Sequence, residues 1–287
     1  MRLAYQGEPG AYSEAAALQF GGPTIETLPC KSFDEVFEAV VKRRATHGVV
    51  PLENSIGGTI HRNYDLLLEH ELSITGEVEL DVVHCLQALP GTTLPDVKTV
   101  YSHPQALAQC DKYLRSLPGV EVVATYDTAG SAKLIKDRQL AGAAAIASER
   151  AAAVFEMKVL ESGIQDFADN ITRFLVVAPA ADVPRTTPTN KTTVVFTLAN
   201  EAGALFKALS VFALRGIDLT KLESRPIPGR PWEYLFYVDL GVARDEVTCG
   251  RALTHLGEFA PMLRTLGTYA SWKTQEGRTP DPFEVVS

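Results

Sequence analysis

Leu72-Ser73-Ile74-Thr75-Gly76-Glu77-Val78-Glu79-Leu80-Asp81-Val82-Val83-His84-Cys85-Leu86-Gln87-Ala88-Leu89 decides how the first part of this chain folds. The segment is rich in apolar and β-branched residues and contains no proline, so it reads as extended. It is also far longer than an ordinary strand. An extended segment of that length can pass from one lobe to another. The apolar run Phe174-Leu175-Val176-Val177 is placed to make the return crossing. Two crossings imply two lobes with a cleft between them.

On either side of the long segment, strand and helix alternate. Strands are expected over 3–6, 25–29, 48–51, 97–101, 120–125 and 143–147. Helices are expected over 12–20, 32–42, 63–69, 104–117, 128–136 and 148–155. The second of these carries Phe33, Val36, Phe37, Val40 and Val41 on one face. This alternation predicts an α/β fold with largely parallel sheets and ligands at the carboxyl ends of the strands. A two-lobed arrangement of that kind is similar to the type II periplasmic binding proteins.

A breakpoint follows at 178–190, where Pro179, Pro184 and Pro188 stand among small polar residues that hold neither a helix nor a central strand. Beyond it the pattern changes. Strands are expected over 192–199, 219–224, 234–240 and 262–271, with helices over 203–215 and 245–256. That order is the βαββαβ of a ferredoxin-like unit. The expected division is a first domain over 1–180, a linker over 181–190 and a second domain over 191–287. Within the first domain, one lobe takes 1–76 with 172–180 and the other takes 77–171.

Composition narrows the function classes. With 46% hydrophobic and 22% charged residues among 287, the chain reads as an ordinary globular protein. No apolar run is long enough to cross a bilayer as a helix. A net charge of −8 argues against a nucleic-acid surface but leaves anionic substrates open, because local groups set the field in a pocket. Cys30, Cys85, Cys110 and Cys249 are too far apart in sequence for a zinc knuckle or a redox pair, and the histidines suggest no ligand set, so no metal is expected. The N-terminus enters a strand directly, with neither an apolar nor an Arg/Ser-rich leader, so a cytoplasmic protein is expected.

Polar clusters stand where the strands end. Gly7-Glu8-Pro9-Gly10-Ala11-Tyr12-Ser13 follows a strand and opens a helix. Its amides suit a carboxylate or phosphate, although a plain turn with Ser13 as helix cap explains it as well. Glu53-Asn54-Ser55 offers acceptor, amide and hydroxyl at a strand's carboxyl end. Ser102-His103-Pro104-Gln105 repeats that logic, with Ser102 as cap, and Gln105 and Gln109 lie four apart on one helical face. Asp127-Thr128-Ala129 is a third such end. Asn170-Ile171-Thr172-Arg173-Phe174 puts a hydroxyl and a guanidinium at the mouth of the return strand. In a regular strand Thr172 and Arg173 point to opposite sides, so they cannot both face one cleft.

Taken together and in this order, these clusters resemble the prephenate dehydratases and the related arogenate dehydratases along the whole first domain. Ala145-Ile146-Ala147-Ser148 adds to the match. In the second domain, Gly203-Ala204-Leu205 and Glu223-Ser224-Arg225-Pro226 resemble the two motifs of the phenylalanine-sensing ACT domain in those enzymes. The resemblance implies a lyase of phenylalanine biosynthesis that removes carbon dioxide and water from prephenate to give phenylpyruvate, without a cofactor. It implies Thr172 as hydrogen-bond donor to the leaving oxygen, with Asn54, Glu53, Gln109 and Ser102 as further catalytic contributors. Arg173, Phe174, Ser13 and Thr128 would contact substrate. It further implies L-phenylalanine as effector, held by Asn200, Ala202, Gly203, Ala204 and Leu205. Leu219, Glu223 and Ser224 of an adjoining subunit would complete that site in a homo-oligomer, dimer or tetramer. Two other readings remain open: an arogenate dehydratase, whose substrate bears an ammonium in place of the keto group, and a two-lobed amino-acid sensor without catalysis. No nucleic-acid or membrane partner is expected.

Overall fold

The computed structural model of the chain describes residues 1–182, 189–227 and 229–272. The inner part of the expected linker (183–188) and the last residues of the expected second domain (273–287) lie outside the described residues. The chain forms two compact units, one of Met1–His70 with Val78–Leu175 and one of Glu71–Glu77 with Val176–Ser287.

In the first lobe of the first unit, β1 (Arg2–Gln6), α1 (Tyr12–Gly21), β2 (Glu26–Cys30), α2 (Phe33–Val41), β3 (His47–Asn54), the short β4 (Gly58–Thr59) and α3 (His61–Glu69) follow one another. The long segment then begins as β5 (Leu72–Asp81). It continues into the second lobe, whose elements are β6 (Cys85–Ala88), β7 (Thr99–Ser102), α4 (Pro104–Gln109), α5 (Asp111–Ser116), β8 (Glu121–Ala124), α6 (Thr128–Arg138), β9 (Ala143–Ala147), α7 (Glu149–Val154) and β10 (Lys158–Ser162). The return strand is β11 (Ile171–Pro179).

The first-lobe sheet runs β5-β11-β3-β1-β2, and β1 pairs in parallel with both β2 and β3. The second runs β10-β6-β9-β7-β8, parallel between β9, β7 and β8, with β6 antiparallel to both of its neighbours. The crossing strand and the return strand are therefore neighbours in the first sheet, as two lobes joined by two passages of the chain require. The all-alanine-and-isoleucine β9 is wholly buried, and Ala132 and Ile135 of α6 and Ala151 and Ala152 of α7 lie in the same core cluster. Small side chains there let the helices approach closely.

Several details depart from the sequence reading: Glu71–Glu77 and 176–180 fall in the second unit, and the short β4 was not expected. The helix expected over 104–117 is broken at Cys110 (φ −116°, ψ 23°) into α4 and α5. The reason is tertiary: the amide of Asp166 donates to the Gln109 carbonyl at 2.7 Å, and the Asp166 carboxylate accepts from the amide of Lys112. Strand β10 was also not foreseen.

The second unit contains β12 (Lys191–Thr197), α8 (Ala204–Ala213), β13 (Leu219–Pro226), β14 (Tyr234–Leu240), α9 (Val247–Gly257) and β15 (Met262–Tyr269). The strand order β13-β14-β12-β15 is the ferredoxin-like one expected. Ala208, Val211 and Phe212 of α8 and Ala252, Leu253 and Leu256 of α9 cluster with Val194, Phe196, Val238 and Leu240. Beside this core the Lys191 ammonium is buried 2.8 Å from the Glu77 carboxylate and 3.7 Å from that of Asp239. Neutral donors share the load. The Trp272 amide donates to Glu77 at 3.0 Å, and the Thr193 hydroxyl donates to Asp239 at 2.7 Å. Removing the Lys191 ammonium takes a buried positive charge away from two buried carboxylates. Lys191→Met is therefore expected to lower the stability of the second unit by about 3–5 kcal/mol. Urea denaturation checks this, and an unmoved midpoint contradicts it.

Candidate active site

A cavity of about 500 Å³ opens in the first unit, a volume suited to a small molecule. Its walls are strand ends and helix starts. Asn54 ends β3, while Thr172 and Phe174 stand at the start of β11. Ala11, Tyr12 and Ser13 open α1, Ser32, Phe33 and Asp34 open α2, and Asp127 and Thr128 open α6. Gln105 and Gln109 project together from α4, as their spacing predicts. No lysine or arginine is among the described residues that line the cavity.

The alternation of β11 decides what each of its residues can do. Thr172 and Phe174 face the cavity. Arg173, buried between them, turns away and pairs with Glu53 at 3.0 Å. Neither Arg173 nor Glu53 is part of the cavity wall, which corrects the expectation that the guanidinium contacts substrate and that Glu53 contributes beside it. Ser102 is corrected in the same way. It is fully buried in β7, and its hydroxyl donates to the Ile146 carbonyl at 2.6 Å. The cap of α4 is His103, whose Nδ1 accepts from the amide of Gln105. Nor does Ser13 cap α1: the capping position is Ala11, and α1 has no side-chain cap.

Asn54 joins the strand ends. Its Oδ1 accepts from the amides of Ile56 (3.1 Å) and Gly57 (2.7 Å) and from Gln109 Nε2 (3.3 Å). Its Nδ2 donates to Asn170 Oδ1 (2.7 Å) and Thr172 Oγ1 (2.9 Å). Gln109 Oε1 in turn lies 3.0 Å from Asn170 Nδ2 and 2.9 Å from His84 Nε2. The Tyr12 hydroxyl is 3.0 Å from His84 Nδ1 and 2.7 Å from the Val83 carbonyl. Burial pushes the His84 pKa down, against a smaller opposing effect of its bond to Gln109, so the imidazole is neutral at pH 7. Sequence reading missed His84 because it sits inside a run that reads as plain strand; it placed Asn170 in the cluster at the mouth of the return strand but gave it no role.

The turn before α1 serves the protein's own groups. The Glu8 amide donates to Asp127 at 3.0 Å, and the Gly10 amide donates to Glu14 at 2.8 Å. These amides do not await a ligand anion. Glu14 also receives Arg150 at 2.8 Å, and the Ser148 hydroxyl donates to the Gly10 carbonyl at 2.6 Å. Burial alone would raise the Glu14 pKa, but the bonds from Arg150 and Gly10 bring it below the usual carboxylate range. Gly10 has φ +92°, and a β-carbon there would lie 2.6 Å from Ala151 Cα, so only glycine allows the lobes to meet at this point. Asp127 caps α6 through Ala129 and Gly130, and burial, acting against those bonds, raises its pKa.

Of the residues expected to hold an effector, Gly203 adopts the left-handed conformation (φ 80°) as the cap of α8, with exposed Asn200 and Ala202 before it and Ala204 and Leu205 in the first turn. Leu219 and Glu223 are half-buried on one side of β13, and Ser224 is exposed on the other. Among the described residues, no group of three or more His, Cys, Asp and Glu is placed to hold a metal ion, and no helix is long and apolar enough to cross a membrane.

Comparison with known proteins matches this architecture. The model of the prephenate dehydratase family fits residues 3–182, and that of the ACT domain fits 192–248. The arogenate dehydratase/prephenate dehydratase 2 of Arabidopsis thaliana is 49% identical over 278 residues, covering 94% of this chain and 72% of that protein. A prephenate dehydratase from Arthrobacter aurescens, solved in complex with L-Phe, superposes with a TM-score of 0.85 at 31% identity, over 96% of this chain and 92% of that one. GqqA, described as a novel type of quorum-quenching acylase, gives the same TM-score at 34% identity, over 94% and 98%. The Arabidopsis relatives are named chloroplastic, which overturns the expectation of a cytoplasmic protein drawn from the first residues. With its catalytic-type unit and its ACT unit both matched, the chain belongs to the prephenate dehydratase family, whose activity is that of a carbon–oxygen lyase.

Proposed function

We propose that the chain converts prephenate to phenylpyruvate at the cavity between β3, β11 and the helix starts, and that Thr172 acts at the leaving oxygen. One observation carries this reading. Thr172 Oγ1 accepts a hydrogen bond from Asn54 Nδ2, an atom that can only donate, so the hydroxyl's own proton is left to the cavity. As the ring carboxylate of prephenate leaves as carbon dioxide, its bonding electrons enter the ring, and the C–O bond to the ring hydroxyl breaks. The products are phenylpyruvate, carbon dioxide and hydroxide, which a proton converts to water. No net oxidation or reduction occurs. A donor aimed at the departing oxygen stabilises the charge developing there. A threonine hydroxyl is too weak an acid to surrender its proton outright, so Thr172 works by hydrogen bonding.

The substrate is a dianion, yet the described walls carry no lysine or arginine. Neutral donors take their place. The start of α1 lacks a side-chain cap, so the amides of Tyr12 and Ser13 suit one carboxylate, with the positive end of the helix behind them. Thr128, Gln105 and the start of α2 border the same space.

A second reading is favoured by Asp127. Its carboxylate borders the cavity and would pair with the ammonium of arogenate, where prephenate has a keto group. The ACT unit supports L-phenylalanine as effector, bound at Gly203 and the start of α8 with Leu219, Glu223 and Ser224 of a second copy in a homo-oligomer.

Three outcomes are expected. Thr172→Ala lowers kcat about 10²- to 10³-fold with the fold retained, while Thr172→Ser stays within about tenfold of the parent. Phenylpyruvate formation from prephenate measures both, and full activity of Thr172→Ala removes the reading. If arogenate is the substrate, Asp127→Asn lowers its kcat/KM at least about tenfold more than that for prephenate. An unchanged ratio removes Asp127 as selector. Added L-phenylalanine changes the turnover of the parent, and Gly203→Val, which strains the left-handed cap, weakens that response at unchanged basal rate. An identical response curve for the variant would count against this effector site.

A further inference from the structure

The amides of Asn54, Asn170 and Gln109 close a ring in which each gives its N–H to the next and receives from the one before: Asn54 to Asn170, Asn170 to Gln109, Gln109 to Asn54. In isolation such a ring runs equally well in either sense. Here the sense is fixed at one corner. The amides of Ile56 and Gly57 both donate to the same atom of Asn54, which makes that atom the oxygen. Nδ2 is then the atom facing Thr172. Gln109 must present Oε1 to Asn170, and the same oxygen faces His84 Nε2, so Nε2 carries the imidazole proton. Donation therefore runs one way, from His84 through Gln109 and Asn54 to Thr172, and each bond polarises the next.

We propose that Asn170 and His84 are positioning residues for the reaction: together they hold the amide ring in the one sense that turns the Thr172 hydroxyl donor-first toward the leaving oxygen. This rests on the reading of Thr172 given above. Asn170 is the cleaner of the two, since it is almost fully buried, does not border the cavity, and acts only through Asn54 and Gln109.

Asn170→Asp tests it. The substitution keeps shape and keeps the acceptor for Asn54, but removes the N–H given to Gln109 Oε1. The expected result is a fall in kcat of about 10- to 100-fold, with KM within about threefold of the parent. The second expectation is a pH signature. Once protonated, the introduced carboxyl can again donate to Gln109, so the ratio of variant to parent kcat rises as the pH falls from about 8 to about 5.5. The titratable groups around the ring (His84, Tyr12, Cys85, Cys110 and Asp166) are common to both proteins, so the introduced carboxyl is the one titrating group that the variant adds. A merely structural role would give no such rise. A kcat within threefold of the parent, or a ratio flat with pH, overturns the inference while the reaction stands. A parent that turns over neither prephenate nor arogenate overturns the reaction assignment and this inference with it. Should Asn170→Asp fail to fold, Asn170→Ser, which supplies a hydroxyl donor, is expected to exceed Asn170→Ala in kcat by about tenfold, and equal values overturn the inference.

Discussion

Everything at the site depends on the two backbone N–H groups of Ile56 and Gly57 that converge on Asn54 Oδ1. A side-chain amide is nearly symmetrical in shape, and only its neighbours decide which end is oxygen. The turn after β3 makes that decision covalently close to Asn54, where it cannot drift. The Gln105 side chain of α4 lies over the same turn, where a β-carbon at Gly57 would displace its amide end. From this corner the orientation passes to Gln109 on α4, to Asn170 before β11 and to Thr172 on β11. A local turn thus sets the direction of a hydroxyl that belongs to a different strand.

Charge is distributed in an unexpected way for the dianionic substrate proposed. The guanidinium of Arg173 is held by Glu53, and neither residue lines the cavity. Arg62 is engaged by Asp34 and Glu69. What faces the cavity instead is a set of neutral donors and helix starts. These interact with an anion without the large desolvation cost of burying an unpaired cation. They also leave room for a carboxylate in the wall, that of Asp127, which accepts from backbone amides rather than from an arginine. Asp127 is tied at the same time to Glu8 in the turn that holds the lobes together, so the cavity wall and the contact between lobes share a residue.

Much of the fold was legible because it is written in local periodicity. The alternation of strand and helix, the βαββαβ order and the double crossing all follow from patterns a few residues long. So did the opposite directions of Thr172 and Arg173, which a pleated strand imposes. The helix break at Cys110 was not legible, because its cause is Asp166, a residue far along the chain. The same holds for the site. Gln105 and Gln109 could be placed on one face from spacing alone. Ser102 and Glu53 sat at the right strand ends, yet one hydroxyl was claimed by the Ile146 carbonyl and one carboxylate by Arg173. His84 carried no local mark, and Asn170 stood in a marked cluster with no role assigned to it.

By itself the sequence determined most of the elements, their order and the family, since these depend on side-chain periodicity and on motifs that survive in one dimension. Tertiary structure decided which of the polar residues at strand ends meet each other. Asn54 and Thr172 are 118 positions apart, and Gln109 and Asn170 are 61 apart. A hydrogen bond needs its partners within about 3 Å and correctly turned, and no spacing along the chain encodes that; only the packing of the lobes does.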